Sequence, residues 1–484
     1  MQDSHCQLNI SKIFISKYWS IVLVIILTPI LLGAILPILP THDDWATTIK
    51  PDFNPFFIKE RFLFYGYHWR PFDAIMGYIL GTNPQVLYPA LNHYCIVIGH
   101  AICAILIFKL LSALGFSTLS RNITTIYFFI TPATMATVSA VDSMNQVYAL
   151  VCGITSFLLY LKLERGKYVA WIIMLFIATW FKENGLMWTL IGPILAYSFD
   201  FIDQKKLKKD ILIGLGVMVA YALAITLLPK DIIIHPDYEP GVLKVVKNTI
   251  KFLFTTFITV DYIYLLHQPS RNLLAACLTF ALSLPFLYYI FIRNIKQFIN
   301  KKMICTAICL IIAVAPHVGT VFSMMHTYAG LAMLTILIAY SIDCYSEHRK
   351  SVIISFILLC ISAIIIDIHL IIASIDSGQI GKKMAQEAIQ KTGKPVKSVF
   401  VIIIEDDYPK LSSFCVIPND AFGWGLASKY ETNYQWPEMI QDTTIVRSSE
   451  AMGKAQQMAS EILLNDSIDC IWIVNHDNVD VVKK

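Results

Sequence analysis

Charged residues are scarce in this sequence. Asp, Glu, Lys and Arg make up 15% of its 484 residues, against 56% hydrophobic residues and a mean hydropathy of +0.61. Soluble domains carry roughly a quarter charged residues, so the composition excludes a soluble globule over most of the length. The net charge of +4 is small, and Lys and Arg sit in short loops rather than in one stripe, which leaves no footprint for a nucleic-acid partner. Metal-type CxxC pairs are missing as well. Most cysteines (Cys95, Cys103, Cys152, Cys277, Cys305, Cys309, Cys360) fall inside apolar runs and read as small buried hydrophobes. Cys415 and Cys470 lie in a more polar tail, where a disulfide would require an oxidising compartment. There is no internal repeat and no low-complexity segment. No A-x-A cleavage pattern follows the first apolar run, Tyr18 to Pro37, so that run reads as a retained helix. Lys12 and Lys17 before it place the N-terminus on the cytoplasmic side.

What the chain has in quantity is apolar runs long enough to cross a bilayer. They lie near 18–40, 87–111, 122–140, 145–161, 168–181, 185–200, 211–229, 271–292, 303–321, 327–343 and 351–373, an expectation of about eleven transmembrane helices. Loops on one side are short and basic, as in "LERGK", "QKKLKK", "RNIKQFINKK" and "EHRK", whereas "TPATMATVSAVDSMNQ" and "HVGTVFSMMH" contain no Lys or Arg. The positive-inside rule then puts the N-terminus in the cytoplasm and the C-terminus outside, in the periplasm if the membrane is a bacterial inner one. Two outer loops are long, at about 41–86 and 229–270, and within the second "KFLFTTFITVDYIYLL" reads as an interfacial or re-entrant helix. The expected fold is mainly α: a polytopic helical membrane domain over 1–373 and a small soluble extracytoplasmic α/β domain over 374–484. In the latter, "SVFVIII", "SFCVI" and "DCIWIV" have strand composition. The helix between them is "SSEAMGKAQQMASEILL", with Ser448 and Ser449 as candidate caps.

Four polar clusters interrupt the outer side. His42, Asp43 and Asp44 follow the first span; an Asp here could act as general base for a hydroxyl, or hold a divalent cation such as Mg or Mn with His42, or simply stop the helix. "HWRPFD" contributes His68 and Arg70, the latter a phosphate-binding candidate or the partner of Asp73, with His93 and His100 on one face of the next span. "WFKENGLMW" puts Lys182 and Glu183 in apolar surroundings, and "PHVGTVFSMMHTYAG" gathers His317, His326 and Tyr328. All four fall on one face of the membrane, which points to an extracytoplasmic site. "EDDYP" at 405–409 reads as a strand-end turn.

The order of these features resembles that of membrane glycosyltransferases of the GT-C fold. The motifs are the acidic pair after the first span, then "HWRPF", "GTNPQVLYPALNHY", "TPATMATVSAVDSMN" and "FKENG", with "MMHTYAG" further on. The pattern is similar to the protein O-mannosyltransferase-like group and its uncharacterised bacterial relatives. Trp69 stands where that pattern has Tyr, and uncharged residues around Met144 and Asn145 replace its Arg. The resemblance implies transfer of a sugar from a polyprenyl-phosphate donor to a hydroxyl of a protein, glycan or lipid acceptor, with inversion. Asp43 or Asp44 would be the base. Arg70, with Lys182, His326 and Tyr328 as further candidates, would bind the donor phosphate. A transporter or flippase of a lipid-linked sugar, or a membrane anchor for the C-terminal domain, would use the same span count, but a transporter predicts an inverted repeat that the sequence lacks.

Overall fold

The computed structural model describes residues 17–39, 70–80, 90–140, 143–227, 241–257, 269–293, 299–319, 324–344, 349–393, 396–404, 438–475 and 478–484. The molecule is mainly helical. The helices are α1 (Trp19–Ile35), α2 (Pro71–Leu80), α3 (Ala90–Ala113), α4 (Thr118–Ile130), α5 (Pro132–Val138), α6 (Met144–Lys162), α7 (Lys167–Phe181), α8 (Trp188–Ser198), α9 (Gln204–Leu227), α10 (Val242–Phe257), α11 (Pro269–Leu287), α12 (Lys301–Val314), α13 (Tyr328–Asp343) and α14 (Arg349–Thr392). Among the described residues, five helical segments are each long and apolar enough to cross a membrane: Ala90–Ala113, Met144–Lys162, Gln204–Leu227, Met325–Asp343 and Arg349–Asp376. Each of the eleven apolar runs contains helix, and this is a helical membrane protein.

The bundle is organised around α13, along which nearly every residue from Tyr328 to Ile342 is buried. α4 and α12 pack on it directly. Outer helices show the reverse pattern. Ile25, Ile30, Leu212, Leu223, Ile361 and Ile368 are exposed although fully apolar, as expected of surfaces solvated by lipid. Many polar groups inside the bundle are paired across helices. The fully buried Asp210 of α9 accepts hydrogen bonds from Tyr160 of α6 and, at 2.8 Å, from Tyr168 of α7, which ties three helices together at one end.

Besides α9, which starts at Gln204 inside the basic stretch read as a loop, three segments differ from the sequence expectation for identifiable reasons. The third apolar run is split into α4 and α5 because Pro132, which lacks an N–H and fixes its own φ, starts a new helix after an extended Thr131. The helix expected at 251–266 begins nine residues earlier, at Val242: Asn248, Phe252 and Thr256 face the protein while Val242, Leu243 and Ile250 are exposed. Finally, α14 runs unbroken for 44 residues, about 66 Å, and the boundary placed after residue 373 falls inside it. The composition turns polar there because the helix leaves its apolar surroundings. Good helix formers continue to Thr392, and Gly393, with φ 68°, ends it.

The C-terminal unit has a four-stranded sheet of order β2-β1-β3-β4, built from β1 (Ser398–Ile404), β2 (Glu438–Ile445), β3 (Cys470–Asn475) and β4 (Asn478–Lys483). β1 is parallel to β2 and β3, and β4 returns antiparallel to β3. One face packs Val399, Val401, Trp472 and Val474 against Met384 and Ala388 of α14. The other packs Phe400, Ile402, Ile471 and Ile473 against α15 (Ala451–Ile462) through Ala451, Ala455 and Ala459. Ser448 and Ser449 do not cap α15; Glu450 stands at its N-cap without a side-chain bond. Cys470 is a buried free thiol, while Cys415, "SFCVI" and "EDDYP" lie outside the described residues.

Candidate functional site

Four helix ends meet at one end of the bundle: the starts of α2, α6 and α13 and the finish of α7. Arg70 precedes α2, whose first residue is Pro71, a residue suited to the first helical position because no N–H is needed there. Phe72 then seats α2 on α7, its ring stacked on Phe181 at 5.4 Å and tilted against Trp180 at 5.6 Å. This places the Arg70 guanidinium in front of Glu183. Nε donates to Oε1 at 2.8 Å and Nη2 to Oε2 at 2.6 Å, a two-pronged pair with both side chains largely buried.

Lys182 ends α7 in an extended conformation, and a 3-10 turn, Glu183–Met187, leads into α8. The turn needs glycine at 185. A Cβ there would lie 2.4 Å from the carbonyl carbon of Ala178, a backbone atom with no room to move. The buried Lys182 Nζ donates to Asn145 Oδ1 at 3.3 Å, and Asn145 Nδ2 donates to Asp73 Oδ2 at 3.2 Å. Asn145 thus bridges a cation and a carboxyl with both ends of one amide. Beside it Asn184 Nδ2 donates to Gln146 Oε1 at 2.9 Å.

Burial works against the Arg70 charge, yet Glu183 at bonding distance, with Asp73 behind it, holds the guanidinium above its ordinary value. Asp73 goes the other way for a carboxylate: burial raises it, and Arg70, Asn145 and Lys182 only partly offset that. His326 completes the cluster. Its ring stacks on His317 with centroids 3.9 Å apart and planes 2° from parallel, and it lies within electrostatic range of Lys182, Arg70 and Glu183. The 3-10 turn carrying it, Met324–Thr327, is pinned by Thr137, whose hydroxyl donates to Met325 O at 3.1 Å. α10 covers this side, with Asn248 Nδ2 donating to Val318 O at 3.0 Å.

Arg70, Lys182, Glu183 and His326 are therefore neighbours. Tyr328 is not among them: its hydroxyl meets His100 Nδ1 at 2.7 Å inside the bundle, between Phe128 and Phe129. His93 is also buried on α3, a ring nitrogen 3.0 Å from Ile38 O. His42, Asp43, Asp44 and His68 lie outside the described residues. Among the described residues no group of three His, Cys, Asp or Glu side chains gathers as metal ligands, and the divalent-metal expectation concerns only His42, Asp43 and Asp44. Sequence reasoning named Asp73 only as a partner for Arg70 and passed over Gln146 and Asn184. The available signal was amide side chains adjoining the singled-out residues in otherwise apolar stretches. Comparison with protein-family models, with curated proteins and with solved structures finds no match to this chain.

Proposed function

We propose that the protein is a membrane glycosyltransferase of GT-C type that transfers a sugar from a polyprenyl-phosphate donor to an acceptor hydroxyl at the outer face of the membrane. In this reading the chain spans the membrane about eleven times, with its N-terminus cytoplasmic and its C-terminal domain extracytoplasmic. The carrying observation is the convergence of Arg70 and Lys182 with Asp73, Glu183 and His326 at one end of an apolar bundle. When Asp73 holds its proton, Arg70, Lys182 and Glu183 leave one net positive charge, the complement of a phosphodiester monoanion. α1 brings the chain to the same end: Leu39, four residues before Asp43, packs against α14 at Gly378.

In the reaction the acceptor oxygen bonds to the anomeric carbon and its proton passes to Asp43 or Asp44. The bond from that carbon to the phosphate oxygen breaks, with inversion. The departing phosphate gains a negative charge, and Arg70 and Lys182 stabilise it. His326, beside Lys182, contributes a further donor.

Purified protein supplied with polyprenyl-phosphate sugars and candidate acceptors should give a glycosylated product by mass spectrometry. Activity should collapse in Asp43→Asn, in Asp44→Asn or in both. Full activity in both single variants and in the double variant removes the base assignment. Translocation of a lipid-linked sugar without any product would assign the protein to the transporter class instead.

A further inference from the structure

Gln146 is fully buried at the start of α6, and Asn184 is 4% exposed in the turn after α7. Each amide has four hydrogen-bonding sites, two donor and two acceptor, and the pair satisfies itself with one bond, Asn184 Nδ2 to Gln146 Oε1 at 2.9 Å. Among the described residues, Gln146 Nε2 and Asn184 Oδ1 are buried without any partner. More than nine in ten buried polar groups are hydrogen-bonded, and an unpaired one costs as much as a lost bond, so two on one contact require a reason. The adjacent rung is the contrast, since Asn145 uses its oxygen on Lys182 and its nitrogen on Asp73.

The conclusion does not depend on which way the amides are turned. Rotating both would make Gln146 the donor and Asn184 the acceptor of the shared bond, and one orphan donor and one orphan acceptor would still remain. They belong to a single hydrogen-bonded pair, so they sit within reach of one hydroxyl or of two neighbouring hydroxyls on a ring. A hydroxyl both donates and accepts, as water and amides do, and neighbouring hydroxyls on a ring can answer both orphans at once. A third unpartnered atom, His326 Nδ1, is at the same end of the bundle. Phosphate offers acceptors only and would leave Asn184 Oδ1 unanswered.

We propose that Gln146 and Asn184 form a hydroxyl-binding subsite for the sugar of the lipid-linked donor, beside the Arg70 and Lys182 phosphate site. This rests on the glycosyl-donor reading above. The subsite reads the sugar through hydrogen bonds, and the cations hold the phosphate regardless of which sugar it carries. A site built to bond a hydroxyl discriminates strongly against an analogue lacking it, because its own buried groups are then left unpaired.

The test uses full-length protein in nanodiscs, with polyprenyl phosphate and its hexosyl ester as probes, read by thermal shift and native mass spectrometry. The double variant Gln146→Met with Asn184→Leu removes both polar partners together, which is close to neutral for folding when shape is kept. Its unliganded melting temperature should equal or exceed that of the wild type. It should bind polyprenyl phosphate as the wild type does and bind the hexosyl ester roughly tenfold more weakly than the wild type. Equal affinity of the two proteins for the hexosyl ester overturns the subsite. So does wild-type protein that binds bare polyprenyl phosphate and gains nothing from the sugar, and in that case the phosphate site stands. Failure of the wild type to bind either lipid removes the donor reading and the subsite with it. Should the double variant not fold, a deoxyhexosyl series on wild-type protein decides: at least one deoxy position should weaken binding roughly tenfold, and uniform binding across the series refutes the proposal.

Discussion

Arg70 and Asp73 flank the first turn of α2, and burial acts on them in opposite ways. Arg70 keeps its charge because Glu183 answers it with two hydrogen bonds. Arg70→Ala should therefore strand a largely buried carboxylate and cost about 2 kcal/mol in a reversible denaturation experiment, below the roughly 3–5 kcal/mol of fully buried pairs because neither partner is fully buried. Arg70→Lys keeps the charge but not the fork, and should recover only part of that loss. An unchanged midpoint in Arg70→Ala would mean that the pair contributes nothing. Asp73 sets a pH dependence. Its carboxyl is raised by folding, so the native state holds that proton longer than the unfolded chain does. Stability from this group is intact below the ordinary carboxylate value and declines as pH climbs through the raised one. As pH climbs from the ordinary carboxylate value through the raised one, Asp73→Asn should lose less melting temperature than the wild type; parallel curves would refute the assignment. Charged residues in apolar runs were legible from sequence because each is improbable where it stands. The partner choice, Glu183 rather than Asp73 for Arg70, was not, since it depends on how α2 is seated on α7 by Phe72.

At the scale of elements, the turn between α7 and α8 shows how a single glycine positions several side chains of the candidate site. Lys182, Glu183 and Asn184 immediately precede Gly185, whose amide donates to Lys182 O at 2.9 Å. Gly185→Ala pushes a methyl into the Ala178 carbonyl, so the turn must open and carry all three away from Arg70, Asn145 and Gln146. The expected outcome is a destabilisation of about 2 kcal/mol or more together with loss of phosphate-lipid binding. Gly33→Ala is the control: its Cβ meets nothing within 4 Å, and both properties should be retained. Normal lipid binding in Gly185→Ala would show that the turn does not position the site. Hydropathy located helices such as α6, α7 and α13 well because a span of that length can bury its backbone groups in lipid only as helix. It placed α10 late because that helix starts with amphipathic residues, Val242 to Lys247, which carry little net hydropathy. β4 escaped notice for a similar reason. It is a short alternating stretch, with Val479 inward and its neighbours Asn478 and Asp480 outward.

For the whole molecule, α14 is the member that belongs to both halves. Its apolar part, to Asp376, packs in the bundle against α11, and its last turns form one wall of the C-terminal core. Thr392 closes that wall from two sides: its hydroxyl accepts from Trp472 Nε1 at 3.0 Å, and its carbonyl accepts from Lys483 Nζ at 2.5 Å. Lys391 Nζ donates to Val479 O at 2.7 Å. With helices on both faces of a largely parallel sheet, the unit has the layers a self-sufficient α/β domain needs. Among the described residues, the one contribution from elsewhere in its core is Leu39, from beyond α1. A fragment beginning after Asp376 should therefore fold alone, melting cooperatively with mixed helix and strand signals by circular dichroism. It should be weaker by about 2 kcal/mol for the loss of Leu39, a deficit that the same domain in full-length Leu39→Ala should share. A fragment that shows no cooperative transition would mean that the bundle holds this domain together. If it does fold, α14 is a continuous connection between the bundle and a unit that is stable alone, its apolar part packed in the bundle and its last turns on the sheet.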